Sequence, residues 1–267
     1  MMKRIAARVL AANRDKAQVD WRMHESIWAD LEKELSGLTG RRLLDVGCGY
    51  DYGQTLLFHS REVAITGIDI DLHRDRGGWL SLHSIVARVR RRLYHRQLQA
   101  LVPFRLRFRG LDVRELDITR LPFPDSSFDA AISNAVFEHL MDVPRALQEL
   151  HRVLVPGGIL RIGIHLFTSL SGPHNARLQQ NPVVDWPADL APWYHLRGLP
   201  PAIPTHLNRW READYLRAFE ARFQVLRVSR KSEGAHLLTP ELETELSGFD
   251  REELLTRGLL LFARKSA

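Results

Sequence analysis

Apolar positions recur at helical spacing at the start of the chain: Ile5, Val9, Val19, Ile27, Leu31 and Leu35, with charges between them. This predicts one or two helices over 3–35 that stop at Ser36-Gly37, where glycine ends a helix readily. The period then changes. RRLLDVGCG is a short apolar strand running into a glycine turn, DYGQTLLFHS reads as a helix, and Val63 to Ile68 is a second apolar strand with an acidic end. Strand, glycine-rich turn, helix and strand in this order are the sequence form of a βαβ unit with parallel strands. Helical spacing returns around Ser81–Leu101. Pro122 and Pro124 mark a loop, 128–133 a strand, 143–154 a helix, Pro156-Gly157-Gly158 a sharp turn and 158–166 a strand. A helix at 211–221, a strand near 223–229, a charged helical piece at 240–256 and a strand at 258–264 complete the pattern.

Two stretches interrupt it. Residues 72–110 have no Asp or Glu after Asp75 and eight Arg between Arg88 and Arg109. The local pattern predicts a solvated helix with Val89 and Leu93 inward and Arg outward; the competing reading is an RNA-binding or lipid-binding surface. Residues 167–211 hold seven of the 13 Pro together with Trp186, Trp193, Tyr194 and Trp210. A loop this long is usually functional or disordered, and aromatics at this density predict a folded lid over an acceptor pocket.

Composition narrows the picture. The 267 residues are 45% apolar and 26% charged, which excludes wholesale disorder. The net charge of +6 is carried mainly by Arg, with only five Lys, and permits nucleic acid, anionic lipid or a phosphorylated substrate without choosing among them. No apolar run approaches the roughly 20 residues of a membrane span. The opening MMKRIAARVLAANRDK has no continuous apolar h-region, so no secretory signal is expected, and a plain helix is favoured over a transit peptide. Cys48 is the single cysteine, which excludes an internal disulfide and fits a reducing, cytoplasmic setting. It reads as a small packing residue. No Cys or His lies at metal spacing near it, and no metal site is expected.

The candidate chemistry begins at Asp45-Val46-Gly47-Cys48-Gly49, where the first strand meets the first βαβ helix. Glycines there let the backbone turn tightly and approach a ligand closely. About twenty residues on, the second strand ends in Asp69, where a carboxylate can accept from two ribose hydroxyls. A dinucleotide site wants G-x-G-x-x-G with a free helix N-terminus for pyrophosphate. Here Asp51 stands between Gly49 and Gly53 and would point negative charge at a diphosphate. An acidic start, Asp45 and Asp51, suits a ligand without phosphate and better still a cationic one.

LLDVGCGYDYG, TGIDID, LDITRLPFPDSSFDAAISNAVFEHL and ELHRVLVPGGIL together resemble the class I S-adenosylmethionine-dependent methyltransferases, in the branch with a methyltransferase-11-like core. The resemblance covers about 41–166. It implies an α/β fold: a doubly wound, seven-stranded, mostly parallel Rossmann-like sheet, with an N-terminal helical segment over 1–40 and a lid insertion after strand five. The methyltransferase domain would be 41–267, with insertions at 72–110 and 167–211. It also implies S-adenosyl-L-methionine as cofactor. Asp45, Gly47, Cys48 and Gly49 would face its methionine part, Asp69 and Ile70 the ribose, Asp117 and Ile118 the adenine, and Asn134 the sulfur end. Asp112 competes with Asp117, and the four-residue step to Leu121 favours Asp117. The family usually has a third glycine where Asp51 stands, for which Gly53 compensates in a shifted turn.

The implied reaction moves a methyl group in line from a sulfonium to a nucleophile, so the protein supplies proximity, alignment and exclusion of water. For a hydroxyl acceptor, histidine is the usual base near neutral pH. The candidates are His139, His165, His174, His195 and His206, with His174 and His195 preferred and His139 carried by the motif. The expected function is O-methylation of a small-molecule or glycan acceptor. The rivals are RNA methylation through the basic 88–109 segment and a cofactor-binding protein without catalysis. The stretch SNAVFE departs from the N-P-P-Y type signature of amino-nitrogen methylation. Nothing in the chain specifies the oligomeric state.

Overall fold

The computed structural model describes residues 2–72, 82–175, 186–203 and 205–266, the side chains of 2–10 and 82–83 excepted. The expectations for 73–81 in the first insertion, and for 176–185 and Pro204 in the second, lie outside the described residues. In chain order the elements are α1 (Met2–Leu35), β1 (Arg42–Val46), α2 (Gly53–Ser60), β2 (Ala64–Asp69), α3 (Leu82–Leu101), β3 (Asp112–Glu115), β4 (Phe128–Asn134), α4 (Val143–Val153), β5 (Leu154–His165), α5 (Glu212–Glu220), β6 (Gln224–Ser232), α6 (Pro240–Glu245), α7 (Arg251–Leu255) and β7 (Thr256–Arg264). A 3-10 turn, Phe137–His139, follows β4.

The strands form one seven-stranded sheet in the order β3-β2-β1-β4-β5-β7-β6. The order reverses beside β1, the kind of switch point at which open α/β sheets bind ligands. The sheet is mixed: β1 pairs with β2 and β2 with β3 in parallel, while β6 pairs antiparallel with β7. The chain divides into two compact units, 1–132 with 152–159, and 133–151 with 160–267.

In the first unit, β1 buries Leu43, Leu44 and Val46, which makes it a two-sided core strand. Helix α1 is a single helix that ends where expected, with Ser36 and Gly37 at φ 54° and 113°. Its Ala17 packs with Leu56, Leu57, Tyr94 and Leu98. Tyr94 Oη donates to Asp20 Oδ2 at 2.6 Å, tying α3 to α1. Gly53 is required at this crossing, because a Cβ there would lie 2.1 Å from Tyr94 Oη. Close helix packing, rather than a bound phosphate, accounts for this glycine. The prediction for α3 needs correction. Val89 is exposed, along with Ile85 and Val86, and the inward positions are Tyr94 and Leu98.

In the second unit, β7 buries Leu259, Leu261, Phe262 and Ala263. Trp193 and Tyr194 are wholly buried, and Trp193 packs with Leu170, Leu238, Leu246 and Leu254. Residues 156–158 differ from expectation. They run within β5 instead of forming a sharp turn, with Gly157 at φ 77° absorbing the irregularity. The charged piece at 240–256 is two short helices, α6 and α7, followed by the start of β7.

Candidate functional site

The turn after β1 lies in the first unit. Gly47 and Gly49 have φ 72° and 68°, left-handed values that other residues adopt only under strain. The Gly47 and Cys48 amides donate to the Ile68 carbonyl at 2.8 and 3.0 Å. Gly49 N–H donates to Asp69 Oδ2 at 2.9 Å, and Asp71 N–H donates to Asp69 Oδ1 at 3.0 Å. The half-buried Asp69 carboxylate therefore locks the glycine turn to the end of β2 and keeps lone pairs for a ligand. Leu116 N–H donates to the Asp69 carbonyl at 2.9 Å, which sets Asp117 just beyond the same ends of the parallel strands. Asp117 is exposed, and its Oδ1 accepts from the Thr119 amide and hydroxyl. Ile118 is buried and Ile70 is exposed.

Asp45 is 3% exposed and accepts from Thr55 Oγ1 at 2.6 Å, so it braces the first turn of α2. Burial, with the nearby charges of Asp69 and Asp20 adding to it, pushes its pKa up to about 6. The Cys48 thiol is also pushed well up, by burial and the nearby Asp45 and Asp69 carboxylates, and stays protonated. Asp51 turns toward α1, 3.6 Å from Lys16 Nζ, and its carbonyl accepts from His95 Nε2 at 3.1 Å. The Arg91 guanidinium lies over the Tyr50 and Tyr52 rings, 4.6 and 5.4 Å from their centroids.

The Asp45 shift fixes a pH dependence. The folded pKa lies above the unfolded value near 4, so burial disfavours the charged form. That penalty is complete above pH 6 and vanishes as the pH falls toward 4. Asp45→Asn is expected to stabilise the free protein at pH 8, by an amount on the order of 3 kcal/mol. Denaturant unfolding at pH 8, 6 and 4 reads this out. A difference between variant and wild type that does not shrink toward pH 4 contradicts it.

The five candidate histidines lie in the second unit. His165 ends β5, and successive turns at 166–169, 169–172 and 171–174 fold the chain back. Gly172 permits this return, since a Cβ there would meet the Phe167 carbonyl at 2.2 Å. His174 thereby stacks on His165, with ring centroids 4.6 Å apart, and meets His139 edge-on at 4.9 Å. His139 Nδ1 contacts the His206 carbonyl at 2.8 Å. A carbonyl only accepts, so Nδ1 carries the proton and Nε2 the lone pair. Ser171 Oγ donates to Glu233 Oε1, so His165 Nε2 must donate to Ser171 Oγ. His195 Nε2 donates to the Phe167 carbonyl at 2.8 Å, which leaves its buried Nδ1 unpartnered among the described residues. Burial holds His165 down to about 3 and His174 and His195 to about 4, so all three are neutral at pH 7.

Glu138 is the residue that sequence reasoning passed over. It is 1% exposed, and burial pushes its pKa up to about 8. Its Oε1 accepts from the His165 amide at 3.3 Å. Asn208 clamps the turn that carries it, donating to the Phe137 and Leu140 carbonyls and to the Glu138 carbonyl. Its only sequence signal was a Glu beside His139 in an otherwise apolar turn. Asn134 lies at the end of β4, where its Oδ1 is 3.4 Å from Arg161 Nη1. A Cβ at Gly163 would sit 2.8 Å from that oxygen, so glycine leaves room for the Asn134 side chain.

A doubly wound sheet with a glycine turn after β1 at the switch point and a carboxylate closing β2 defines a nucleoside-binding α/β protein. Residues 44–162 match the family described as Methyltransferase domain. That segment is similar to the class I S-adenosylmethionine-dependent methyltransferases, a resemblance that implies S-adenosylmethionine as cofactor. A malonyl-[acyl-carrier protein] O-methyltransferase from Serratia marcescens is 31% identical over 146 residues, 53% of this chain and 45% of that protein. A phosphatidylethanolamine N-methyltransferase from Cereibacter sphaeroides is 31% identical over 134 residues, 50% of this chain and 55% of that one. The chain thus spans about half the length of the curated relatives it matches. A solved candidate sarcosine dimethylglycine methyltransferase from Galdieria sulphuraria shares the fold. It has a TM-score of 0.50 and 19% identity over 92% of this chain and 86% of that one. Among the described residues, no helix is long and apolar enough to cross a membrane.

Proposed function

We propose that the chain is an S-adenosylmethionine-dependent methyltransferase that methylates an oxygen of a small-molecule or glycan acceptor. The observation that carries the reading is the Asp69 carboxylate, fixed by the Gly49 and Asp71 amides beside a left-handed glycine turn. Fixed acceptors at this point suit the two hydroxyls of a ribose. The Asp69 carboxylate, with the buried Asp45 behind it, repels a diphosphate and attracts a cationic sulfonium, while Asp51 turns away to Lys16. The residues of the turn therefore fit this cofactor.

In this reading Gly47, Cys48 and Gly49 border the methionine part, and Asp45 holds their turn through Thr55. Asp69 accepts from the ribose with Ile70 beside it. Asp117 accepts from the adenine amine, and Ile118 supports the ring. When bound, S-adenosylmethionine would supply a methyl group activated on a sulfonium, with S-adenosylhomocysteine as the leaving product. The chain aligns the acceptor and receives its proton. His174, His195 and His139 are the candidates, since an imidazole nitrogen can accept a proton.

Calorimetric titration with S-adenosylmethionine is expected to give one saturable site. Incubation with hydroxyl-bearing acceptors is expected to accumulate S-adenosylhomocysteine. Methylation confined to amines or to RNA overturns the choice of oxygen. Absence of cofactor binding overturns the whole reading.

A further inference from the structure

We infer that Glu138, His139 and His174 form a site for one divalent cation of the zinc class. All three residues belong to the second unit, and their ligand atoms lie within 4.8 Å of one another. A further observation points to a ligand independently of that proximity. Glu138 Oε2 and His174 Nε2 are both buried and have no hydrogen-bond partner among the described residues, which buried polar atoms seldom tolerate. His174 Nε2 lies 3.8 Å from Glu138 Oε1, too far for a hydrogen bond and close to the separation of two ligands on one ion. His139 donates through Nδ1 to a backbone carbonyl, the arrangement that orients a metal-ligating imidazole and leaves Nε2 for the ion.

The donor set selects the metal. Two imidazole nitrogens and one carboxylate suit Zn2+, Co2+ or Mn2+, whereas Mg2+ prefers oxygen throughout. Three protein ligands leave a tetrahedral ion one open position. The surroundings support the same arrangement. Glu138 Oε1 accepts from the His165 amide, so the buried carboxylate is held in place while its Oε2 has no partner among the described residues. Ser171, Glu233 and Arg257 hold His165 from behind, against the stacked face of His174. On the methyltransferase reading, an acceptor hydroxyl at the open position would be oriented and would lose its proton more readily. The metal site itself stands without that reading.

Protein stripped with a chelator is titrated with ZnCl2 and with CoCl2, followed by calorimetry and by visible absorption of the cobalt form. The expected result is one equivalent bound, with cobalt bands of low coordination number. His174→Ala and His139→Gln are each expected to weaken binding by about 100-fold, while the exposed His236→Ala leaves it unchanged. Circular dichroism without metal checks that each variant folds, and the wild-type cobalt spectrum needs no variant. Failure of the wild type to bind, or unaltered binding by folded His174→Ala and His139→Gln, overturns the site. Titration of the same stripped protein with S-adenosylmethionine tests the methyltransferase reading separately.

Discussion

Asp69→Ala is expected to weaken S-adenosylmethionine binding by about 100-fold or more. The reasoning starts from the carboxylate. Hydrogen bonds to a charged group contribute roughly 1.5–3 kcal/mol each, and a ribose offers two hydroxyls to the same side chain. Two such bonds correspond to at least two decades in affinity. The substitution has a second effect, because Gly49 N–H and Asp71 N–H lose their acceptor. Asp69→Asn separates the two contributions. It keeps one oxygen for the turn and loses the charge, so its affinity should fall between wild type and alanine. Calorimetry gives the dissociation constants, and thermal unfolding without cofactor gives the damage to the turn. Affinity within threefold of wild type in a folded Asp69→Ala protein removes this carboxylate from the site.

Trp193→Ala should produce the largest loss of stability. The indole is wholly buried and packs on Leu170, Leu238, Leu246 and Leu254, side chains drawn from four separate stretches of the second unit. Truncating a buried Trp costs about 3–5 kcal/mol, which in a chain of this size lowers Tm by roughly 6–20 °C. Gly234 has no room to adjust inward, since its Cβ position already meets Leu170 and Trp193 at 3.0–3.2 Å. Trp193→Phe should lose much less. It keeps a ring and removes an indole N–H that is buried without a partner among the described residues. Scanning calorimetry of the three proteins checks the order. A Tm for Trp193→Ala within about 2 °C of wild type means that this cluster does not hold the unit together.

Much of the architecture was legible in local pattern. The period change near 42, the glycines at 47 and 49 and the acidic end of β2 are short-range signals, and each corresponds to a structural feature within two residues. Strand β3 was not located in advance. Its four residues, Asp112–Glu115, are mostly charged and partly exposed, so they carry neither an apolar run nor an alternation. Residues 156–158 were read as a turn because Pro-Gly-Gly usually makes one. The pairing of β5 within the sheet overrides that propensity. The misassigned face of α3 has a similar origin. Helical spacing cannot choose between Val89 and Tyr94 until α1 arrives with Asp20 to accept from the tyrosine.

The histidines mark the boundary most clearly. Five were visible as candidates, and nothing in their spacing said which would meet. His139, His165 and His174 are separated by 26 and 9 positions, and it is the triple turn after β5 that brings their rings together. The chain by itself determined the βαβ framework and the carboxylate at the end of its second strand, because hydrophobic period and glycine conformation act over a few residues. Only the tertiary structure decided the surroundings of Glu138. Desolvation, the unpartnered oxygen and the adjacent imidazoles arise from segments far apart in sequence, and their energies exist only once those segments share one dry interior.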